Sequence, residues 1–378
     1  MQIVEREITN LITGKIKPGK VVVLNGARRV GKTFLLKEIV KKLTKPYLLL
    51  NGEDFNVQEI LSKRSAENYN QLLGSKKILI IDEAQRIPLI GLVLKLMVDE
   101  ITGLKILVTG SSAFDLGNAT GEPLTGRKFI FTLYPLSERE FSGTETIIER
   151  ADRLKMRLIF GNYPELIHLS DFDEKREYLI ELINSYLLKD ILAFENIKHS
   201  SKIFNLLRLI AYQTGNPVSL NELGTQLSLS KNTVEKYLDL LSKVYILYRV
   251  NGFSRNLSKE ITKNSKWYFS DNGIRNAVIA NFNRTDLRND TGQLWENYII
   301  SERLKYQQYK KRITNNFFWR TYDQQEIDWV EEREGSLSGF EFKLLSLKAK
   351  PPTAWTRSYP DAKFKIITPQ NYFEWLSD

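Results

Sequence analysis

The stretch NGARRVGKTF, residues 25–34, constrains the fold of this chain more than any other feature. It follows the β-branched run KVVVLNG and precedes KTFLLKEIVKKL, in which apolar residues recur at helical spacing. A continuous apolar run is typical of a strand that is buried on both faces of a parallel sheet. The order strand, glycine-containing loop and helix therefore predicts an α/β fold that opens with a phosphate-binding loop.

The loop fits the Walker A pattern, because Gly26 is followed after four residues by Gly31-Lys32-Thr33. The glycines allow backbone N–H groups and the helix N-terminus to face phosphate oxygens. We expect Lys32 to contact the β- and γ-phosphates and the Thr33 hydroxyl to bind Mg²⁺. The predicted nucleotide-binding residues of the loop are Gly26, Ala27, Arg28, Arg29, Val30, Gly31, Lys32, Thr33 and Phe34.

A second apolar strand, in KKILIIDEAQRI (residues 76–87), ends in a Walker B pattern. We expect Asp82 to hold Mg²⁺ through water and Glu83 to polarise the attacking water. Adjacent Asp and Glu favour an ATPase with its own catalytic base over a GTPase or a kinase. ATP and Mg²⁺ are therefore the predicted cofactors, with Glu83 and Lys32 as catalytic residues.

Two later segments add candidates. LKILVTGSSAFDL (residues 104–116) is a third apolar strand that ends before Ser111 and Ser112, and either serine would sense the γ-phosphate or cap the next helix. We assign Ser111 to nucleotide binding. Arg127, in LTGR, is assigned to catalysis, with contact to the γ-phosphate in cis, contact in trans to a neighbour's nucleotide, and simple solvation as the three alternatives.

Residues 201–275 have the pattern of a winged-helix unit: a helix in SLNELGTQL, a second helix in KNTVEKYLDLLSKV, and two strands around a basic hairpin. One interpretation places helix 231–244 in a DNA groove, with contacts from Lys231, Asn232, Thr233 and Lys236 and from Arg255, Lys259 and Lys263 on the wing. The alternative is a protein-interaction module in which Leu238, Leu241 and Val244 form core.

The C-terminal region predicts a helix over residues 292–307 and three following strands. Asp328 and Glu341 fall on neighbouring strands, and the two-residue period places Lys343 on the same face as Glu341. Metal-assisted phosphodiester hydrolysis needs this set: Asp328 and Glu341 would bind Mg²⁺, Lys343 would orient water, and Glu296 would complete the shell. The alternatives are a surface ion pair and a fold that binds DNA without cutting it.

Composition limits the chemistry. The chain has no cysteine, which excludes disulfides, thiolate catalysis and cysteine-ligated metals, and its two histidines argue against a zinc site or a Ser-His-Asp triad. Any metal should be a hard cation held by carboxylates. The net charge of +10 favours an anionic partner such as nucleic acid. Because no apolar run has signal or membrane length, we expect a cytoplasmic protein with no membrane partner.

In this order, GARRVGKT, ILIIDEAQ, LVTGSS, LTGR, YPLSEREF and GNYPE resemble a family of prokaryotic AAA+-type ATPases. The C-terminal domain of that family, of unknown function, is similar to the PD-(D/E)xK restriction-endonuclease fold. The resemblance covers the chain essentially end to end and implies that GNYPELI begins a helical lid that contacts nucleotide. This chain departs from the pattern twice: the lid lacks the sensor-2 arginine, and Glu326-Ile-Asp328 replaces the Pro-Asp element.

The predicted fold class is α/β, with a P-loop αβα ATPase core (1–150), a helical lid (151–200), a winged-helix-like unit (201–275) and a nuclease-like α/β domain (276–378). The predicted function is ATP binding and hydrolysis coupled to DNA binding by the C-terminal region, with DNA cleavage as a further hypothesis. The alternative is a nucleotide-gated signalling or scaffold protein whose inactive nuclease-like domain binds a protein partner. Homo-oligomer formation is left open.

Overall fold

The computed structural model describes residues 3–110, 124–187, 200–255, 264–345 and 348–378. The chain divides into two compact units: an N-terminal unit, Arg6–Tyr134, and a C-terminal unit that combines Met1–Glu5 with Pro135–Asp378. The predicted boundaries near residues 200 and 275 therefore lie inside one compact unit. Among the described residues, no helix has the length and apolarity needed to cross a bilayer.

The N-terminal unit is built around a five-stranded sheet in the order β2-β3-β4-β1-β5, with all neighbours parallel. Its strands are β1 (Val21–Asn25), β2 (Tyr47–Asn51), β3 (Ile78–Asp82), β4 (Lys105–Gly110) and β5 (Lys128–Thr132). Its α-helices are α1 (Thr9–Thr13), α2 (Lys32–Lys41), α3 (Phe55–Ser62), α4 (Ala66–Leu73) and α5 (Ile90–Glu100). Every residue of the central strand β1 is buried, which explains its continuous apolar run.

Turn and cap residues fix where the helices of this unit begin. The side chain of Asp54 accepts a hydrogen bond from the backbone N–H of Asn56 at the start of α3, and Ser65 caps α4 in the same way through Asn68. On one side of the sheet, α4 and α5 contribute Tyr69 and Met97, both fully buried, to a core that also contains residues of β1, β3 and β4. The sheet edge that carries the Walker motifs is thus set on a rigid base.

The C-terminal unit begins with helices α6 (Glu138–Phe141), α7 (Ile147–Phe160) and α8 (Phe172–Glu181), followed by a π-helical segment, Leu182–Leu187. Next come α9 (Ser200–Tyr212), β6 (Pro217–Val218), α10 (Leu220–Leu227), α11 (Lys231–Lys243), β7 (Leu247–Gly252), β8 (Ser265–Phe269) and α12 (Asn272–Val278). The last part contains α13 (Thr291–Tyr309), β9 (Asn315–Arg320), β10 (Glu326–Arg333), β11 (Ser336–Phe342), α14 (Thr353–Ser358), β12 (Lys363–Ile367) and α15 (Tyr372–Trp375).

One seven-stranded sheet, in the order β12-β11-β10-β9-β7-β8-β6, runs through the C-terminal unit. Strands β9, β10 and β11 form an antiparallel meander, and β12 joins β11 in parallel. The antiparallel pair β7–β8 is attached because β7 pairs in parallel with β9 through Asn251 and Gly252. The segment predicted as winged-helix and the segment predicted as nuclease-like therefore share a sheet.

The GNYPE segment is tied to the C-terminal unit by buried hydrogen bonds. The backbone N–H of Asn162 donates to Asp271 at 2.7 Å, and its side-chain amide donates to Glu302 at 3.1 Å. Tyr163 is fully enclosed. The predicted contact of this segment with nucleotide stays a prediction, and the predicted lid helix INSYLLKDIL extends beyond residue 187 into a part of the chain outside the described residues.

A buried charge network joins α6, α7 and the C-terminal elements. The Arg157 guanidinium donates to both carboxylate oxygens of Glu138, at 3.0 and 3.1 Å, and also contacts Glu145. Tyr298 and Tyr372 donate their hydroxyls to the same Glu138 carboxylate. Burial alone would lower the pKa of Arg157, but the two carboxylates outweigh burial and raise it above its ordinary value. The network is therefore a fully ionised, hydrogen-bonded cluster.

Replacing Arg157 by methionine should destabilise the protein by about 3–5 kcal/mol, because Glu138 and Glu145 would stay buried without a cationic partner. Urea unfolding measures the loss. The matched control is Lys243→Met, which removes an exposed i,i+4 pair with Asp239 and should change stability by only about 0.3–0.5 kcal/mol. Equal losses in the two variants would contradict this view of the network.

Candidate functional site

Two glycines shape the phosphate-binding loop in the N-terminal unit. A Cβ atom at Gly26 would lie 2.3 Å from the carbonyl oxygen of Leu133, so a side chain at this position would collide with backbone. Gly31 has φ of 93°, in the left-handed region, and directly precedes the first turn of α2. The loop can therefore turn tightly from β1 into a helix whose N-terminus is open to an anion.

The Walker A side chains are placed by hydrogen bonds. The Lys32 ammonium is buried and donates to the carbonyl oxygens of Gly26 and Ala27, at 3.0 and 2.9 Å. The Thr33 hydroxyl donates to a carboxylate oxygen of Asp82 at 2.8 Å. This bond connects the end of the Walker A loop with the end of β3, although β4 lies between β1 and β3.

The other predicted residues of the loop differ in exposure. The Arg28 side chain is half-buried, Arg29 is exposed with φ of 63°, and 44% of the Phe34 surface is accessible. Val30 is fully buried, so its side chain is core, not ligand surface. Its carbonyl oxygen accepts a hydrogen bond from the guanidinium of Arg6 at 2.9 Å. Sequence reasoning missed Arg6, which fixes the loop from behind and lies too far away in sequence to be found by pattern.

Thr109 is the functional residue that sequence reasoning missed at the Walker B strand. Its hydroxyl donates to Asp82 and accepts the backbone N–H of Glu83 at 2.9 Å. The residue is fully buried at the end of β4, directly before the glycine and serines that drew attention instead. A polar residue that ends an otherwise apolar strand beside Walker B was the available signal. The predicted Ser111, and Ser112 beside it, lie outside the described residues.

The backbone of Glu83 turns sharply. Glu83 has φ of 50°, in the left-handed region, and its side chain accepts a hydrogen bond from Gln85. A Cβ at Gly52 would lie 2.3 Å from the Glu83 carbonyl oxygen, so glycine is required where the neighbouring strand passes. Glu83 thus follows Asp82 in a fixed conformation at the carboxyl edge of the sheet, where a general base would be needed.

The prediction that Arg127 contacts the γ-phosphate in cis is wrong. The carbonyl oxygen of Arg127 accepts the backbone N–H of Val21, which places the arginine at the start of β1 and β5, while the phosphate-binding loop follows the end of β1. The two edges are separated by the length of β1, roughly 13 Å at about 3.3 Å per residue. The Arg127 guanidinium pairs instead with Asp99 at 2.7 Å. Contact in trans stays a prediction.

In the C-terminal unit, Glu296, Asp328, Glu341 and Lys343 come together. Asp328 accepts the backbone N–H of Phe342 at 2.8 Å, and Lys343 pairs with Glu341 at 2.8 Å. Burial raises the pKa of Asp328 and Glu341, and the negative charge of Asp328 raises the pKa of Glu341 further. Burial likewise raises the pKa of Glu296 to about 7, against the opposing effect of a nearby lysine. The four residues therefore form one cluster on α13, β10 and β11, as predicted from their spacing.

That nearby lysine is Lys266, on β8, which sequence reasoning missed. Its side chain is 1% exposed, and its ammonium lies 2.5 Å from Glu326 and 3.4 Å from Glu296. Tyr268, two residues along the same strand, donates its hydroxyl to Glu296 at 2.6 Å. No group of three metal-binding side chains suited to an ion occurs in the described ranges. The predicted Mg²⁺ shell of Glu296, Asp328 and Glu341 does not fit as it stands, because a lysine is part of the cluster.

The predicted DNA-contacting residues are partly accessible. Lys231, Asn232 and Lys236 are exposed on α11, whereas Thr233 is half-buried in the first turn, where its N–H bonds to Ser230. Arg255 pairs with Glu332 at 3.0 Å, so part of its charge is balanced within the chain. Lys259 and Lys263 lie outside the described residues. Leu238, Leu241 and Val244 are buried, as core residues of such a helix should be.

Comparison with known proteins identifies the N-terminal unit. Residues 18–142 match the family model of the AAA domain. Residues 151–286 and 291–369 match two domains of unknown function, DUF8612 and DUF4143. With its parallel sheet and joined Walker motifs, the first region is the α/β core of an AAA-type ATPase.

Similar proteins are remote in sequence. An uncharacterized protein of Mycobacterium tuberculosis is 25% identical over 351 residues, which are 92% of this chain and 75% of the relative. An uncharacterized protein of Methanocaldococcus jannaschii is 27% identical over 311 residues, 76% of this chain and 67% of the relative. Among solved structures, the Walker-type ATPase of Pyrococcus abyssi has a TM-score of 0.49 and 16% identity, and covers 73% of this chain and 96% of its own. RuvB of Thermotoga maritima has a TM-score of 0.31 and 19% identity, over 65% of this chain and 86% of its own.

The N-terminal site fits Mg²⁺ and a nucleoside triphosphate. The Thr33 hydroxyl and the Asp82 carboxylate are adjacent oxygen groups, the donor type that a hard cation prefers. The Lys32 ammonium is held beside loop carbonyls, close to where phosphate oxygens would lie. A bound Mg²⁺ would neutralise phosphate charge.

Replacing Thr109 by valine should reduce ATP turnover roughly ten- to hundredfold, because the Asp82 carboxylate and the Glu83 N–H would lose a shared partner of the same shape. The matched control is Thr109→Ser, which keeps the hydroxyl and should retain most of the activity. Steady-state phosphate release measures both variants. A valine variant as active as the serine variant would contradict the role given to Thr109.

Proposed function

We propose that this protein binds and hydrolyses ATP and couples that turnover to DNA binding by its C-terminal unit. The observation that carries the first part is the hydrogen bond from the Thr33 hydroxyl to the Asp82 carboxylate. It brings the Walker A and Walker B motifs into the relation that Mg²⁺-dependent phosphate chemistry requires. The AAA domain match over residues 18–142 supports the same assignment.

The proposed roles follow from position. Lys32 and the backbone N–H groups of the loop bind the phosphates, and Thr33 and Asp82 hold Mg²⁺. Glu83, adjacent to Asp82 at the same sheet edge, polarises the attacking water. Ser111 as a phosphate sensor and Arg127 as a contributor to a neighbouring subunit's site belong to the proposal on sequence grounds.

The order of elements supports a DNA-binding role for the C-terminal unit. Helix α9, β6, helices α10 and α11, and the antiparallel pair β7–β8 follow one another as in a winged-helix unit. The later order α13, antiparallel β9–β10–β11, α14 and parallel β12 supports a likeness to the restriction-endonuclease fold. The exposed Lys231 and Lys236 and the chain's net charge of +10 favour a polyanionic partner. A cytoplasmic location is part of the proposal; DNA cleavage is not.

A second candidate is a nucleotide-gated scaffold whose C-terminal unit binds a protein. The ion pair between Arg255 and Glu332 favours it, because an arginine whose charge is balanced within the chain contributes less to phosphate binding. DNA binding at low salt separates the two candidates.

Replacing Lys32 by alanine should abolish ATP hydrolysis, because the charge that binds the β- and γ-phosphates is lost. Replacing Glu83 by glutamine should leave ATP bound but unhydrolysed. The matched control is Lys37→Ala, which removes an exposed lysine from the same helix α2 and should leave turnover unchanged. Turnover and retained ATP are measured on the same samples. Persisting turnover in the Lys32 variant would refute the site.

The double variant Lys231→Ala, Lys236→Ala should bind duplex DNA more weakly, and its affinity should depend less on salt by a slope of about 1 per lost phosphate contact. Fluorescence anisotropy over a salt series measures both quantities. Lys243→Ala, on the same helix but paired with Asp239, serves as the control. An absence of DNA binding by the wild type at low salt would support the scaffold candidate instead.

A further inference from the structure

We infer that Lys266 is the resident cation of the C-terminal carboxylate cluster, and that a divalent metal ion binds there only when Lys266 is removed. The carboxylate cluster comprises Glu296, Glu326, Asp328 and Glu341. The inference concerns the metal content of this cluster and does not depend on ATP hydrolysis or on DNA binding. It explains why the residues predicted to bind Mg²⁺ are assembled without forming a metal shell.

The ammonium of Lys266 lies within the carboxylate cluster. It is 2.5 Å from a Glu326 oxygen, 3.4 Å from a Glu296 oxygen, and interacts electrostatically with Asp328. These three carboxylates come from α13 and β10, whereas the lysine comes from β8. A single cation thus bridges carboxylates from different elements, which is the role a metal ion would have.

The position of Lys266 is fixed by the sheet. Its backbone lies in β8 between two partners, opposite Val250 of β7 and Pro217 of β6. The side chain is 1% exposed and passes over the ring of Phe318, with the ammonium 5.4 Å from the ring centre. An ammonium enclosed in this way is stable only when paired, so it cannot leave the carboxylates without a large penalty.

The remaining charges leave little attraction for a divalent ion. Lys343 pairs with Glu341, and Arg320 lies 3.4 Å from Glu326. Together with Lys266, three cationic side chains face the four carboxylates of the cluster. Adding Mg²⁺ would leave a net positive, poorly solvated site, and Mg²⁺ also needs near-octahedral oxygen coordination that the Lys266 ammonium obstructs.

Removing the lysine charge should create a metal site. The full-length chain carrying Asp82→Asn, without nucleotide, is titrated calorimetrically with Mn²⁺, because this background removes the carboxylate of the N-terminal site. We expect no saturable Mn²⁺ binding in the background chain. Adding Lys266→Met should give stoichiometric binding at least about tenfold tighter. The thermal midpoint of the Lys266 variant should also rise when Mn²⁺ is added.

The matched control is Lys305→Met, which removes another buried lysine of the same unit, paired with Glu302 at 2.6 Å away from the carboxylate cluster. It should lose stability without gaining Mn²⁺ affinity or recovery by Mn²⁺. If Lys266→Met alone does not fold, the double variant Lys266→Met, Glu326→Gln removes the charge pair together and is titrated instead.

Two results would overturn the inference. One is stoichiometric Mn²⁺ binding by the background chain that is lost on Asp328→Asn, because the metal would then share the cluster with Lys266. The other is a folded Lys266 variant, single or double, that gains no Mn²⁺ affinity.

Discussion

The hydrogen bond between the Thr33 hydroxyl and the Asp82 carboxylate is the contact on which the nucleotide site depends. It joins a helix that follows β1 to the end of β3, two strands that are not neighbours. Thr109, at the end of the intervening β4, binds the same carboxylate and the backbone of Glu83. The three strand ends are thus coupled through one carboxylate, so the position of the catalytic base follows from the position of the metal-binding groups.

The C-terminal unit is organised differently, around ion pairs that are shielded from water. Glu138 with Arg157, Glu331 with Arg303, and Glu326 with Lys266 each join elements that are far apart in sequence. Such pairs contribute modest net stability but make alternative packings costly, because separating them leaves a buried charge. They also attach the β7–β8 pair to the last sheet, so a change in one part of the unit is felt in the other.

The sequence predicted best what depends on local pattern. Gly26, Lys32 and Asp82 are recognisable because the loop, the helix start and the strand end each occur within a few residues. Arg127 was misplaced because a motif does not reveal at which edge of the sheet a strand begins. Lys266 was missed for a different reason: one lysine in an apolar strand acquires meaning only when β8 is paired and packed against α13.

If ATP turnover and DNA binding are coupled, each must change the other, since coupling free energies are reciprocal. The most direct test is the ATP hydrolysis rate of the unmodified protein during a titration with duplex DNA at low salt. The account predicts a saturable change in the rate that follows DNA occupancy and disappears as salt releases the DNA. A constant rate while DNA becomes fully bound would contradict it.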